Sequence, residues 1–136
     1  MGMNSPAEIA KNYVAIGKGK ANLAIDKMFV LAVIAGAFIA FGGVGSATAA
    51  VGVTPASVGK LISGCIFPGG LTLVLLAGSE LFTGNCLSIT AIMDKKVTWK
   101  QVIYNLIVIW FSNLIGALII DVLLVYSGNL DYSHGL

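Results

Sequence analysis

The chain contains three long, mainly apolar stretches; one segment that carries lysine precedes the first stretch, and another separates the second from the third. Residues 28–50 contain no charge and exceed the roughly 20 residues that cross a bilayer core. The last stretch, residues 99–126, is uncharged from Gln101 until Asp121. These lengths predict membrane-spanning helices over 28–50 and 99–126, with Asp121 near the outer interface. A buried functional carboxylate is the alternative for Asp121.

The middle stretch, residues 57–93, is interrupted at its centre. Two short polar groups that contain glycine, residues 78–80 and 83–85, bracket Leu81 and Phe82. Irregular backbone at membrane depth must be buried in protein or line a watery cavity, because hydrocarbon offers it no hydrogen-bond partner. We therefore predict a second span over 57–93 that is broken between these groups and borders a candidate pathway.

The break also predicts which kind of ligand this region attracts. If a helix restarts near Asn85, its unpaired N–H groups and positive dipole end point into the membrane interior and attract anions. Thr83 and Asn85 are residue types that cap a helix start, and Gly84 permits a sharp turn. The second piece, residues 85–93, would be only about 13 Å long at 1.5 Å per residue, too short to cross a membrane by itself.

A short amphipathic helix is predicted over residues 5–26, before the first span. Ser5 and Glu8 have the spacing of a capping box, with Pro6 at the first helical position. The apolar positions at helical spacing are Ile9, Tyr13 and Ile16. Because the lysines face elsewhere, this helix is suited to the membrane interface. The alternative is a solvated, partly disordered tail.

Small and polar residues inside the spans predict helix contacts. The small-residue track of the first span comprises Ala32, Gly36, Ala40, Gly42, Gly43 and Gly45. In the third span the expected contact residues are Asn105, Ser112, Asn113 and Gly116.

Composition and charge place the chain in a membrane. It is 57% hydrophobic and 10% charged, with a mean hydropathy of +0.94, whereas soluble domains carry about 25% charged residues. The net charge of +2 includes eight lysines and no arginine, too few and too scattered to suggest nucleic-acid binding. Seven lysines flank the N-terminal side of the first and third spans, and Lys60 stands alone. By the positive-inside rule the N-terminus is cytoplasmic and the tail from Ser127 onward is outside.

Side chains that carry metal or redox chemistry are few. Cys65 and Cys86 lie about six helical turns apart in a continuous helix, too far for a disulfide. His134 is the single histidine, so we expect no histidine-ligated metal and no haem within this chain. We expect no cofactor and no enzymatic activity.

One segment carries a resemblance to a known family. Residues 80–85, Glu-Leu-Phe-Thr-Gly-Asn, preceded by Pro-Gly-Gly-Leu at 68–71, resemble the signature of the formate/nitrite transporter family. Its members pass formate, nitrite, hydrosulfide or lactate. The resemblance implies an all-α membrane protein with three transmembrane helices, the second broken by a loop, as one half of an aquaporin-like six-helix inverted repeat. Residues 1–136 would then form a single transmembrane unit that lacks the second repeat.

The resemblance also implies residue roles. Leu81 and Phe82 match a pair that helps to form the cytoplasmic constriction, and Leu71 matches a leucine that narrows the same side. Thr83 matches the threonine that contacts the passing anion. The family's pore histidine belongs to the fifth span, and no residue of this sequence corresponds to it.

Physical chemistry supports these roles independently. A bare anion is costly to bury unless donors replace its water, and the Thr83 hydroxyl with the N–H groups from Gly84 and Asn85 would supply them. Glu80 is expected to point away from the pore and to support the loop by accepting hydrogen bonds. The structural alternative is that the apolar pair only packs and Thr83 only caps.

The expected function is passage of small monovalent anions across the inner (cytoplasmic) membrane. The motif resembles the hydrosulfide branch of the family, with formate and nitrite close behind. The implied partners are the lipid bilayer and a homopentamer that includes the complementary C-terminal half. The rival interpretation is a non-transporting three-span scaffold, and a membrane enzyme is third.

Overall fold

The computed structural model describes residues 4–128, and all regular elements in this part of the chain are helices. The helices are α1 (Pro6–Ala21), α2 (Ile25–Ala50), α3 (Ala56–Ile66), α4 (Pro68–Ala77), α5 (Phe82–Cys86), α6 (Ile89–Met93) and α7 (Trp99–Tyr126). Three segments are long and apolar enough to cross a membrane: α2, α7, and α3 with α4 taken together. The predicted all-helical class with three spans is therefore confirmed. Residues 129–136, with His134 and most of the predicted outer tail, lie outside the described residues.

Helix α1 begins with the predicted capping box. Ser5 Oγ accepts the Glu8 N–H at 3.4 Å, and the Glu8 carboxylate accepts the Ser5 N–H at 2.7 Å. The backbone hydrogen bond from Ser5, followed by the one from its hydroxyl, lowers the pKa of Glu8. The predicted extent of 5–26 is wrong at its C-terminal end. Helix α1 stops at Ala21 because the Asn22 side chain donates back to the Lys18 carbonyl at 2.7 Å, while a new helix begins at Ile25.

Helices α2 and α7 form the main packing interface of the bundle. A methyl group at Gly36 would collide with the Asn113 backbone, and one at Gly116 would collide with the Val33 carbonyl. The two backbones can approach this closely only because these positions lack side chains. Part of the small-residue track therefore packs as predicted, whereas a methyl group at Gly43 would meet nothing within 4 Å.

The second span has more interruptions than predicted. Helix α3 gives way to α4 at Phe67, because Pro68 has no N–H to donate within a continuous helix. After the expected break, the chain restarts at Phe82 and turns again between α5 and α6. The predicted restart at Asn85 is therefore wrong by three residues, for a reason that lies in the third span and is described below.

One end of the bundle holds most of the positive charge. Helix α1 packs on α6, and Asn22 meets Gln101 near the start of α7, with 3.5 Å between their side chains. The segments that carry seven of the eight lysines therefore come together, and Lys60 follows the opposite end of α2. The structure thus groups the charges that the positive-inside rule uses.

Candidate functional site

The break, defined here as residues 78–85, starts with a left-handed glycine. Helix α4 ends at Ala77, and Gly78 has φ 62° and ψ 32°. The N–H groups of Gly78 and Ser79 bond the carbonyls of Leu75 and Val74, at 3.3 and 3.0 Å respectively. This arrangement satisfies the last carbonyls of the helix as glycine C-caps do. Four non-helical residues then separate α4 from α5.

Neighbouring helices supply hydrogen-bond partners to the irregular backbone. The Glu80 N–H donates to the Leu31 carbonyl of α2 at 3.3 Å, and the Phe82 N–H donates to Asn113 Oδ1 of α7 at 3.0 Å. Asn113 Nδ2 donates in return to the carbonyls of Glu80 at 3.0 Å and Ala32 at 2.7 Å. Asn113 therefore performs the capping at the start of α5 that residue type suggested for Thr83 and Asn85.

A partly buried ion pair holds the break to α1. Lys20 Nζ lies 2.9 Å from both carboxylate oxygens of Glu80 and 3.0 Å from Asn85 Oδ1. Asn85 Nδ2 donates to Glu80 at 2.7 Å and to Asn105 Oδ1 at 2.9 Å, and Asn105 donates to the Lys20 carbonyl at 3.0 Å. We name Lys20, Glu80, Asn85 and Asn105 the break network. Its members join α1, the break and α7.

The break network limits the roles that Asn85 and Glu80 can have at the site. Asn85 is 0% exposed, and its side-chain donors are already bonded to Glu80 and Asn105. In this arrangement the Asn85 amide has no donor left for an anion. Glu80 is buried with its carboxylate facing Lys20, so its charge is balanced by a cation from another helix.

Open donors remain at three positions of the break. Within residues 4–128, no acceptor bonds the backbone N–H of Leu81, Thr83 or Gly84, and the Thr83 hydroxyl has no partner either. Thr83 is exposed and Gly84 is half-buried. Helix α5 has only five residues, so these individual donors, rather than a helix dipole, are what an anion would meet.

Leu81 and Phe82 border two small grooves beside α7. The groove at Leu81, of about 260 Å³, includes Trp110 and Asn113. The groove at Phe82, of about 270 Å³, also includes Trp110. Phe82 also packs against the core around Met28 and Ile109. It therefore contributes to the core as well as lining a groove.

Leu71 borders neither of these grooves in the described part of the chain. It lies on α4 and is 45% exposed. Of the three residues predicted to form the constriction, only Leu81 and Phe82 therefore line the grooves beside α7 within residues 4–128.

Sequence reasoning missed Lys20. Glu80 stands 60 residues away in the chain, and the amphipathic pattern of α1 placed Lys20 among the solvated lysines. A signal was available, because a carboxylate within an apolar span requires a cationic or hydrogen-bonding partner. The third-span residues Asn105 and Asn113, predicted as helix contacts, do make them.

In this molecule, apolar helices surround an irregular segment, and side chains of the neighbouring helices bond that segment. This arrangement is typical of membrane channels and transporters with broken helices. Sequence comparison then specifies the group: the model of the formate/nitrite transporter family matches residues 7–135, and the chain belongs to this family.

Individual relatives agree with this assignment. The chain is 42% identical over 121 residues to the probable formate transporter of Methanothermobacter thermautotrophicus, covering 85% of this chain and 44% of the relative. It is 36% identical over 132 residues to the formate channel FocA of Escherichia coli strain K12, covering 96% of this chain and 46% of the relative. A solved FNT family ion channel superposes with a TM-score of 0.82 at 28% identity, covering 90% of this chain and 50% of the other. The chain thus spans about half the length of these relatives.

Proposed function

We propose that this chain supplies the pore-side break of a channel for small monovalent anions. The observation that carries the proposal is the unpaired donor set at Thr83 and Gly84, within the part of the chain that the structure describes, next to the apolar pair Leu81 and Phe82. Glu80, Phe82 and Asn85 of the break are bonded to α1, α2 and α7, so the segment that carries these donors is held in place.

The donors and the apolar pair have complementary tasks. An anion that leaves water loses its hydration, and the Thr83 hydroxyl with the two N–H groups replaces part of it. The side chains of Leu81 and Phe82 offer no such replacement, and therefore exclude large, divalent or strongly hydrated ions. A small monovalent anion, or its protonated acid, passes most readily.

The break network removes an electrostatic obstacle. A free carboxylate beside the path would repel anions, but Glu80 is paired with Lys20 at 2.9 Å and has a side chain only 8% exposed. Close opposite charges largely cancel at a distance. We therefore assign Glu80 a supporting role, with its carboxylate turned towards α1 rather than towards the anion.

Formate is the leading substrate. The relatives from Methanothermobacter thermautotrophicus and Escherichia coli are named as a formate transporter and a formate channel. Nitrite and hydrosulfide have the same charge and similar size, and the motif resembles the hydrosulfide branch. Leu71 is proposed to join the constriction when a complementary C-terminal half is in place.

Assembly and orientation complete the proposal. Family resemblance supports a homopentamer in which a complementary C-terminal half closes an aquaporin-like pore. The grouping of seven lysines at one end supports a cytoplasmic N-terminus in the inner membrane.

Anion flux into liposomes tests this function, with the full natural chain reconstituted. We expect Thr83→Val, which keeps the shape but removes the hydroxyl, to reduce formate flux about tenfold, as the loss of one hydrogen bond to a charged group predicts. Thr72→Val is the matched control, because the Thr72 hydroxyl bonds the Pro68 carbonyl of its own helix. Hydrosulfide and nitrite fluxes, measured in parallel, rank the substrates.

Two results would overturn the proposal. Flux of all three anions no greater than through protein-free liposomes would favour the non-transporting scaffold. Equal formate flux in wild type and Thr83→Val, with the oligomer intact, would remove Thr83 from the anion path.

A further inference from the structure

A second polar feature lies away from the break, between α1 and α6. An open groove of about 810 Å³ runs along α1 and reaches the turn before α7. Three lysines and one aspartate contribute to its lining, together with apolar side chains. The lining residues used below are Lys11, Lys18, Lys96, Asp94, Val14 and Met93. We name this feature the lysine groove.

The charges of the lysine groove favour an anionic occupant. Lys11 and Lys18 are seven residues apart on α1, so their positions repeat after two turns, about 10 Å along one face. Lys96 approaches from the opposite wall. Asp94 is its nearest carboxylate, but that pair is 4.0 Å apart with both side chains more than half exposed. Such pairs contribute little, and the groove keeps an excess of positive charge.

The position of the groove specifies which anion would meet it. The exposed Met93 ends α6 just before the Lys96 turn, and the exposed Trp99 begins α7 just beyond it. Aromatic and amphipathic elements of this kind mark the level of the lipid headgroups. The groove is therefore placed where a phosphate of the bilayer, rather than a solute within the pore, is the nearest negative group.

The apolar part of the groove fits the remainder of a lipid. Met93 is 79% exposed at the end of α6 and Val14 faces the same groove from α1. An acyl or glycerol segment would cover them, whereas a free phosphate ion would leave them bare. Basic pockets between helices on the cytoplasmic side of membrane proteins are a recognised form of headgroup site.

We propose that the lysine groove binds the phosphate headgroup of an anionic phospholipid. Lys11 and Lys18 from α1 and Lys96 from the turn donate to the phosphate oxygens, and Met93 contacts the apolar part. By joining both walls, the lipid holds α1 against α6. This proposal is independent of the anion path, since no residue of the break lines the groove.

Thermal unfolding of the purified full natural chain tests the proposal, with retained lipid counted by native mass spectrometry. We expect phosphatidylglycerol to raise the unfolding midpoint by about 3 °C or more over phosphatidylcholine, as saturating binding to the folded state predicts. Sodium phosphate and glycerol 3-phosphate, tested as soluble headgroups, should give less than half of that rise.

Lysine variants localise the effect. Lys11→Gln, Lys18→Gln and Lys96→Gln should each reduce retained phosphatidylglycerol, and the triple variant should remove most of the midpoint rise. The matched control is the triple variant Lys27→Gln, Lys95→Gln and Lys100→Gln, which makes the same change in charge at the same end of the bundle. It should keep both the retained lipid and the rise.

Three outcomes would overturn the proposal. Equal stabilisation by phosphatidylcholine would mean that charge is irrelevant. Full stabilisation by soluble phosphate would assign the groove to a solute. An equal loss in the control triple variant would mean that general attraction, rather than this groove, holds the lipid. If the triple variant does not fold, the lipid retained by the single variants distinguishes the same outcomes.

Discussion

The α2–α7 interface and the break both lie in the apolar part of the molecule, yet they are stabilised by opposite means. Between α2 and α7, Gly36 and Gly116 remove side chains so that the two backbones touch. At the break, Lys20, Glu80 and Asn113 add polar side chains where the backbone has lost its regular partners.

The difference follows from backbone hydrogen bonding. A regular helix satisfies its own N–H and C=O groups, so its neighbours need only to fit closely. An irregular segment must receive donors and acceptors from elsewhere, and each missing partner is costly in a medium without water. Residues that leave donors open within such a segment, as Thr83 and Gly84 do among residues 4–128, are therefore candidates for contact with a ligand.

Removing the cation of the break network should have the largest effect on stability. Lys20→Met leaves Glu80 buried and without its cation, which we expect to lower the free energy of unfolding by about 3 to 5 kcal/mol. Denaturant unfolding in detergent measures it. Lys27→Met is the control, because Lys27 is exposed at the start of α2 and should change stability little.

A double variant measures the interaction between Lys20 and Glu80 separately from the effect of losing each side chain. Lys20→Met combined with Glu80→Gln should recover part of the loss, since the unpaired charge is gone. Additive losses in the double variant would show that the two side chains do not interact, contrary to the short distances.

The second effect concerns the amide that bonds the break to α7. Asn113→Leu removes the partners of the Phe82 N–H and the Glu80 carbonyl, which should cost about 2 to 3 kcal/mol. Hydrogen exchange at Phe82 should accelerate at the same time. Ser112→Ala is the control, because the buried Ser112 hydroxyl bonds the Val108 carbonyl of its own helix. Unchanged exchange at Phe82 would contradict the assigned contact.

A smaller loss is expected at the close-packed interface. Gly116→Ala places a methyl group against the backbone of Val33 and Ala37, and should cost about 2 kcal/mol through overpacking. Gly43→Ala meets nothing within 4 Å and should be neutral or slightly stabilising, since alanine favours a helix. Thermal unfolding of the two variants measures the contrast, and equal midpoints would show that close approach at Gly116 is unimportant.

Local signals were sufficient for much of the fold. Uncharged runs predicted the spans, Ser5 and Glu8 predicted the start of α1, and Gly78 with its polar neighbours predicted where the second span breaks. The turn at Pro68 was not predicted, although the sequence indicates it, because proline cannot continue the hydrogen bonding of a helix.

Less of the site could be predicted from the sequence, because its hydrogen bonds join residues that are far apart in the chain. The restart of the helix is set by Asn113, 31 residues beyond Phe82, so a search for capping residue types nearby selected Asn85 instead. Lys20 could not be distinguished from other lysines of an amphipathic helix until the fold brought it to Glu80. The pairing of Leu81 and Phe82 with Trp110 likewise depends on the packing of α7.

Cysteine accessibility at position 83 tests most directly whether the break borders an anion path. Thr83→Cys, placed in the full natural chain with Cys65→Ser and Cys86→Ser to remove the two exposed native thiols, would be treated with a sulfonated and a trimethylammonium methanethiosulfonate. We predict faster modification by the anionic reagent, and protection by formate. No reaction from either side of the membrane, or equal rates for both reagents without protection by formate, would contradict the account.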